Sequence, residues 1–213
     1  MHWCVNDSEG FNNTDYPELK VIGITGGIGS GKSVVSRILR CNGYTVYDCD
    51  MQAKILMNEH SSLKKRLYGI LGKNAYCSDG KINRAYVSEK IFNDFDVRRK
   101  VNVLVHSEVR NHISTLLEIH KGLFFIESAI PATGGLIPLC DAIWNVESPL
   151  QLRIDRVKKR DSITKEDIEK KIKSQEKEFS LLPSDKTAHI LNDGKKSLII
   201  QIINLLNKNY KRC

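Results

Sequence analysis

Short apolar runs alternate with longer amphipathic segments along the chain from residue 20 onward. A near-continuous apolar run of about five residues is typical of a strand that is buried in a parallel sheet. Apolar residues that recur at helical spacing between these runs predict helices that pack on the sheet. The predicted strands span residues 20–25, 44–48, 122–126, 141–146 and 187–191. The alternation therefore predicts an α/β fold with a parallel sheet flanked by helices.

The same pattern predicts how the chain is divided. Between residues 59 and 121, amphipathic helices follow one another for longer than a single crossover between strands requires. We interpret about 59–121 as a helical insertion over the ligand-binding edge of the sheet. The polar, acidic residues 1–19 are predicted to form a loosely ordered extension ahead of one domain, 20–213.

The composition is that of an ordinary soluble globular protein. Of the 213 residues, 41% are hydrophobic and 27% are charged, which is sufficient for a sizeable core. No apolar run approaches the roughly 20 residues of a membrane-spanning helix, and residues 1–19 lack the pattern of a secretory signal. The six cysteines include no C-x-x-C pair, which argues against a metal finger or a disulfide framework. We therefore expect a cytoplasmic protein with reduced thiols and no membrane partner.

The net charge of +8 indicates an anionic partner. Residues 1–19 contain acidic residues but no Lys or Arg, so the basic excess lies in the rest of the chain. A basic chain of this kind binds either nucleic acid or small polyanions. We find no nucleic-acid motif with aromatic platforms, so small polyanions are favoured and a nucleic-acid partner is not expected.

A glycine-rich turn between the first predicted strand and the first predicted helix is the strongest motif. Gly26, four further residues and Gly31-Lys32-Ser33 match the phosphate-loop spacing G-x-x-x-x-G-K-[ST]. Glycines permit a tight turn whose N–H groups point at one anion, and the following helix N-terminus favours negative charge. Lys32 would reach the outer phosphates, and the Ser33 hydroxyl suits Mg²⁺. The loop therefore predicts a nucleoside triphosphate and Mg²⁺, bound by Gly26, Gly27, Gly29, Ser30, Gly31, Lys32, Ser33 and Val34.

Two carboxylates follow the second predicted strand. Asp48 and Asp50 are two residues apart, so in an extended chain both side chains face the same way. Open α/β sheets bind their ligands beyond the carboxyl ends of strands, where these residues lie. A carboxylate there could accept the proton of an attacking hydroxyl, hold the water shell of a metal, or simply cap the following helix. The residues alone leave these interpretations open.

A basic helix, predicted at 150–160, follows the fourth strand. Arg156 and Arg160 are four residues apart and therefore lie on one helical face. Thr164, with Asp167 three residues later, predicts the start of a second helix. Beside a phosphate loop, two guanidinium groups can close over a triphosphate, so we predict a lid at about 153–180. The alternative to a lid is a charged helix face that only contacts solvent.

Glu127 follows the third predicted strand, where it is a weak candidate for a carboxylate that organises the metal.

Taken in order, these features resemble the dephospho-CoA kinase family over nearly all of 20–210. The resemblance is carried by the phosphate loop, by Tyr47-Asp48-Cys49-Asp50, and by the segments 79–84 (DGKINR), 101–106 (VNVLVH) and 156–161 (RVKKRD). It implies a P-loop kinase, with a helical substrate region and a lid, that uses ATP and Mg²⁺. The implied reaction transfers the γ-phosphoryl group of ATP to the ribose 3′-hydroxyl of dephospho-CoA, the last step of coenzyme A biosynthesis.

The resemblance also implies roles for individual residues. It favours Asp50 as the group that orients and deprotonates the hydroxyl. It makes Arg84 and His106 candidates for substrate binding, although an isolated histidine is more often a packing or surface residue. The resemblance also implies Lys32, Arg156 and Arg160 for catalysis and Asn192 for nucleotide binding. Gln175 likewise stands where the family pattern has a matching residue.

The sequence departs from the family pattern at three places. Ser107 follows His106 where the family usually has Pro, and residues 130–133 lack an acidic residue that is usual there. Arg153 stands at a position that is often Gln. These differences concern the wall of the substrate site and leave the expected reaction type unchanged.

Other phosphate-loop proteins are the alternatives. A nucleoside or nucleoside-monophosphate kinase shares the loop, the core and the lid, so only the acceptor distinguishes it. A GTP switch requires an N-K-x-D motif and a D-x-x-G motif after the loop, and Asn207-Lys208-Asn209-Tyr210 lacks the Asp. The oligomeric state and the role of residues 1–19 stay open at this point.

Overall fold

The computed structural model describes residues 20–161 and 163–209, so the extension predicted at 1–19 lies outside the described residues. Its centre is a parallel sheet of five strands in the order β2-β3-β1-β4-β5. The strands are β1 (Lys20–Thr25), β2 (Thr45–Asp48), β3 (Leu123–Glu127), β4 (Ala142–Glu147) and β5 (Thr187–Leu191). The predicted α/β class is confirmed, and each predicted strand lies within one residue of its observed bounds.

Helices fill the connections between the strands. They are α1 (Lys32–Cys41), α2 (Cys49–Glu59), α3 (Ser61–Leu71), α4 (Arg84–Asn93), α5 (Phe95–Ile119), α6 (Leu150–Asp161), α7 (Lys165–Ser180) and α8 (Leu198–Asn209). Single 3₁₀ turns span Lys73–Ala75, Ile137–Leu139 and Ser184–Lys186. The predicted cap of α7 is confirmed, because Thr164 Oγ1 accepts a hydrogen bond from the Asp167 N–H at 3.2 Å.

The register of the sheet brings the carboxyl ends of its central strands to one edge. β1 pairs with both β3 and β4, and Thr25 at the end of β1 is level with Asn145. Ile24 is level with Glu127 at the end of β3. The loop that leaves β1 therefore emerges beside the polar ends of its two neighbours, which is where open α/β sheets bind ligands.

A hydrophobic cluster fixes α1 and α8 on the sheet. Ile24, Phe125 and Trp144 are each at most 1% exposed, and the Phe125 and Trp144 rings have centroids 5.3 Å apart. The helical residues of the same cluster are Val35, Leu39, Ile202 and Leu206. Burying a side chain of this size stabilises the fold by about 1.5–3 kcal/mol. This packing holds the N-terminus of α1 at the end of β1.

The chain divides into two compact units. Residues 48–118 form one unit, and the described residues before and after them form the other. The 48–118 unit contains the helices that were predicted between 59 and 121. Tyr76 Oη donates to the Met57 carbonyl and Tyr86 Oη to the Leu71 carbonyl, each at 2.9 Å, which ties its short segments together. Among the described residues, no helix has the length and apolarity that crossing a membrane requires.

Candidate nucleotide-binding site

Glycines build the loop between β1 and α1. Gly29 has a φ of 76° and Gly31 a φ of 101°, values that other residues rarely adopt. The Ser30 N–H closes a turn onto the Gly27 carbonyl at 3.0 Å. Because the N-cap residue Gly31 has no side chain, no side-chain hydrogen bond caps the N-terminus of α1. That helix end is therefore suited to an anion from outside the helix.

Neighbouring side chains approach two glycines of this loop so closely that an added Cβ would force those side chains to move. A Cβ on Gly31 would overlap the amide of Asn192, and a Cβ on Gly27 would overlap the guanidinium of Arg153. The glycines at these positions therefore serve close packing as well as the backbone turn.

Lys32 and Ser33 open the first turn of α1. Lys32 Nζ donates a hydrogen bond to the Gly26 carbonyl at 2.6 Å, which keeps the ammonium at the loop. Ser33 and Val34 are exposed. The predicted loop residues thus occupy one strand–loop–helix unit, with a cation at its centre and a hydroxyl on its surface.

Arg156 and Asn192 hold the backbone of the loop. Arg156 Nη1 donates to the Gly29 carbonyl at 3.3 Å and to Ser148 Oγ at 3.0 Å. Arg156 Nη2 donates to Asn192 Oδ1 at 3.2 Å, and Asn192 Nδ2 donates to the Ser30 carbonyl at 2.8 Å. Asn192 is only 9% exposed. Both residues contact the loop itself, which links it to the segments that follow β4 and β5.

Arg160 behaves differently from Arg156. Its guanidinium forms a bidentate pair with the adjacent Asp161, at 2.6 and 2.7 Å, and its side chain is 62% exposed. The hydrogen bond from Arg160 lowers the pKa of Asp161 below its usual range. Helical spacing predicts Arg156 and Arg160 together over a triphosphate, but of these two residues only Arg156 contacts the loop in the structure.

Arg153 is a third arginine of α6, which the sequence analysis relates to the wall of the substrate site and not to the phosphate loop. Arg153 Nε donates to the Ile28 carbonyl at 2.9 Å, and Nη2 is buried with no hydrogen-bond partner among the described residues. Burial lowers the pKa of Arg153. The signal was present in the sequence, because residues 153, 156 and 160 are spaced along one helical face.

The helix α7 makes two further contacts that the sequence did not predict. Gln175 Oε1 accepts a hydrogen bond from the Ile28 N–H of the loop at 2.8 Å. Glu178 is 4% exposed, and its carboxylate accepts from the N–H groups of Ala132 and Thr133 at 3.1 and 3.2 Å. An acidic side chain therefore does reach the segment 130–133, but it comes from α7.

A cavity of about 330 Å³ opens beside the loop. Its walls include Gly27, Ser30, Asn145, Glu147, Arg153 and Phe179. Four buried side-chain atoms in this region lack a hydrogen-bond partner among the described residues: Thr25 Oγ1, Ser30 Oγ, Asn145 Oδ1 and Arg153 Nη2. An unsatisfied buried polar group costs about 1–3 kcal/mol, so their clustering here is suited to a polar ligand.

The structure separates the two carboxylates that follow β2. Asp48 is the N-cap of α2 and accepts a hydrogen bond from the Met51 N–H at 2.9 Å. Asp50 lies in the first turn of the helix and is exposed. The expectation that both residues lie on extended chain was wrong, because the helix already begins at Cys49. Capping accounts for Asp48 and leaves Asp50 available for chemistry.

The other predicted substrate residues lie in the 48–118 unit. Arg84 is the first residue of α4 and is exposed, and Asn83 caps that helix. His106 lies half-buried in α5. The same unit contains an open cleft of about 540 Å³ whose walls combine cations with apolar side chains: Arg66, Arg99, Lys100, Ile70, Val103 and Leu104.

Comparison with known proteins identifies relatives. The family model for dephospho-CoA kinase matches residues 20–196. A dephospho-CoA kinase from Porphyromonas gingivalis is 38% identical over 187 residues, covering 87% of this chain and 92% of the relative. One from Bacteroides fragilis is 35% identical over 193 residues, covering 90% and 93%.

Solved structures show the same architecture. The crystal structure of a Thermus thermophilus protein superimposes with a TM-score of 0.74 at 25% identity, covering 91% of this chain and 99% of that one. A shikimate kinase from Acinetobacter baumannii, in complex with shikimate, superimposes with a TM-score of 0.55 at 16% identity, covering 94% and 99%. The likeness to the shikimate kinase concerns the fold alone.

Proposed function

The chain belongs to the dephospho-CoA kinase family, and on that premise we propose how its residues carry out the reaction. The protein is a phosphotransferase of coenzyme A biosynthesis that transfers a phosphoryl group from ATP to dephospho-CoA. The structural observation that supports this most directly is the loop between β1 and α1, where Gly31 leaves the helix N-terminus uncapped and Lys32 lies at the turn. The acceptor atom in this proposal is the ribose 3′-hydroxyl.

The phosphates of ATP bind at the N-terminus of α1 and at Lys32. A phosphate oxygen is a stronger partner for the Lys32 ammonium than the neutral Gly26 carbonyl that it now contacts, since both the ammonium and the phosphate are charged. The backbone N–H groups of the turn supply further donors without any loss of side-chain entropy. These groups hold the γ-phosphoryl group in position for attack.

Mg²⁺ fits this site through the Ser33 hydroxyl. Within residues 20–161 and 163–209, no group of three or more His, Cys, Asp and Glu side chains is arranged to hold a metal. Mg²⁺ commonly takes one or two protein ligands and completes its shell with waters and substrate phosphates. The exposed Ser33 hydroxyl is suited to that role, and the ion when bound neutralises charge on the phosphates.

Asp50 is the general base in this proposal. Its carboxylate accepts the proton of the ribose 3′-hydroxyl while that oxygen forms a bond to the γ-phosphorus. The bond from the γ-phosphorus to the bridging oxygen breaks at the same time, and ADP leaves. The capping bond of Asp48 supports the choice of Asp50, because Asp48 is already committed to the Met51 N–H.

Arg156 and Arg160 are assigned to the developing charge of the phosphoryl group. The contact of Arg156 with the Gly29 carbonyl supports its part, since the guanidinium already lies at the loop. Arg160 would first have to leave Asp161, and its exposed position leaves it free to rotate. Asn192 supports nucleotide binding by holding the Ser30 carbonyl.

The acceptor is assigned to the helical unit, with Arg84 and His106 as its ligands. Dephospho-CoA combines a diphosphate with a long, weakly polar arm. The cleft of cations and apolar side chains around Arg66, Arg99 and Val103 has the matching chemistry. A cytoplasmic location, and the lack of membrane and nucleic-acid partners, stay predictions.

The acceptor assay tests this function. Purified protein is incubated with labelled ATP, Mg²⁺ and either dephospho-CoA, nucleosides or nucleoside monophosphates, with the Lys32→Ala variant as background. We expect phosphorylation of dephospho-CoA at the 3′ position, and a loss of about 10²-fold or more in Lys32→Ala, as is typical when one such group is removed. Faster turnover of a nucleoside or nucleotide acceptor would contradict the assignment.

A further inference from the structure

Arg153, like Arg156, lies directly against the phosphate loop. Its Nε donates to the Ile28 carbonyl at 2.9 Å. Its guanidinium occupies the space that a Cβ on Gly27 would need, so it touches the face of the turn at that glycine. Gly29 lies against the backbone of the same residue, because a Cβ there would lie 2.6 Å from the Arg153 carbonyl oxygen. The side chain of Arg153 therefore contacts the loop at Gly27 and Ile28, and its backbone approaches Gly29.

One nitrogen of the Arg153 guanidinium is not used in hydrogen bonding within the described residues. Nη2 is buried and has no hydrogen-bond partner among the described residues. The carboxylate that shares its cavity, Glu147, instead accepts from Asn145 Nδ2 at 3.0 Å and lies 2.7 Å from His189 Nδ1. Arg153 as a whole is half-buried, but a buried donor atom without a partner is costly, so this arrangement is suited to an anion that arrives as a ligand.

We propose that Arg153 is a phosphate-binding residue, whose Nη2 donates to a phosphate oxygen of ATP bound at the loop. This assignment rests on the proposed function, because it requires ATP at the turn between β1 and α1. Arg153 then adds a guanidinium at the loop beside that of Arg156, whereas Arg160 pairs with Asp161 in the structure.

A purely structural role is the competing explanation. In that case the Nε bond to the Ile28 carbonyl braces the loop, and the rest of the guanidinium only fills space. The two roles differ in their electrostatics. If Arg153 binds a phosphate, it makes an ionic contact that added salt screens, so ATP binding depends on the salt concentration. If it only donates to a carbonyl within the protein, it adds almost nothing to that salt dependence.

The experiment compares Arg153→Gln with Arg153→Lys, using the full chain. Gln removes the charge but keeps a polar side chain, and Lys keeps the charge without the planar fork. Lys158→Gln is the matched control, because Lys158 is an exposed cation on the same helix. Isothermal titration gives the Kd of ATP with Mg²⁺ at several salt concentrations, and thermal unfolding without nucleotide checks the fold.

We expect Arg153→Gln to weaken ATP binding about 10- to 100-fold, the range for one hydrogen bond to a charged group. Its log Kd should depend less steeply on log salt than that of the wild type. Arg153→Lys should recover part of the affinity, and Lys158→Gln should stay within about twofold of the wild type. Part of the salt dependence remains in Arg153→Gln, because Lys32 still contacts the phosphates.

Two results would overturn the assignment. One is an Arg153→Gln variant that binds ATP within twofold of the wild type. The other is an Arg153→Gln variant that binds ATP more weakly but with the salt dependence of the wild type, together with equally weak binding in Arg153→Lys. That result would show that Arg153 only braces the loop. A wild-type chain that binds no ATP would instead refute the proposed function, and this assignment with it.

Discussion

Replacing the buried Glu178 with alanine is expected to destabilise the protein by about 2 to 3 kcal/mol. The carboxylate accepts hydrogen bonds from the Ala132 and Thr133 N–H groups, and the side chain is 4% exposed. A buried N–H group that loses its hydrogen-bond partner costs about 1–3 kcal/mol, and Glu178→Ala removes the partner of two such groups. Thr133 is exposed, so water can replace the partner of its N–H group, and we therefore expect a total cost at the lower end of the range for two groups.

Thermal unfolding followed by circular dichroism measures this cost. One kcal/mol shifts the Tm of a protein of this size by about 2–4 °C, so the expected fall is about 4 to 12 °C. Glu176→Ala is the control, since Glu176 is an exposed carboxylate on the same helix. A Tm for Glu178→Ala that equals the Tm of Glu176→Ala would refute the claim that this carboxylate holds α7 to the segment 130–133.

Three other variants or treatments test separate parts of the structure. Gly31→Ala should destabilise the fold by about 1–2 kcal/mol in urea titrations, because Gly31 has a positive φ. The same variant should abolish ATP binding in calorimetry, and full binding would contradict the close approach of Asn192. Asp48→Ala should cost about 1 kcal/mol in the same titration, whereas Asp48→Asn should cost little because asparagine caps equally well. Burial raises the pKa of Cys140 to about 12, so iodoacetamide at pH 8 should leave this thiol intact while it alkylates the exposed Cys41, as mass spectrometry will show.

The strands and most helices could be predicted from the sequence because their signals are local. An apolar run such as Leu123–Glu127 in β3 is buried along its length, and its composition already shows it. The Thr164 cap depends only on a residue three positions away, and the phosphate loop is a contiguous motif. No disulfide joins the four cysteines in the described part of the chain, and the reduced state of the thiols stays a prediction.

The contacts that shape the site could not be predicted, because they join residues far apart in the sequence. Glu178 reaches residues 132 and 133, and Arg153 reaches Ile28. Nothing in the spacing of either residue identifies its partner. For Arg160 the decisive contact is local, because its guanidinium pairs with the adjacent Asp161. An argument from helical spacing considers residues three or four apart and so does not take this pair into account.

The choice between Asp48 and Asp50 required backbone conformation. Two residues of separation place side chains together on a strand but about 200° apart on a helix. The helix α2 begins at Cys49, so the two carboxylates take different roles. Asp48 forms the cap, and Asp50 is the one that remains for the proposed proton transfer.

The turnover of Asp50→Asn with dephospho-CoA, measured beside Asp48→Asn, tests the central claim most directly. We expect kcat to fall by about 10²-fold or more in Asp50→Asn, with the Kd of ATP unchanged within about threefold, because the variant loses only the proton acceptor. Asp48→Asn should keep nearly all of its activity. Wild-type turnover in Asp50→Asn, or an equal loss in both variants, would contradict the account.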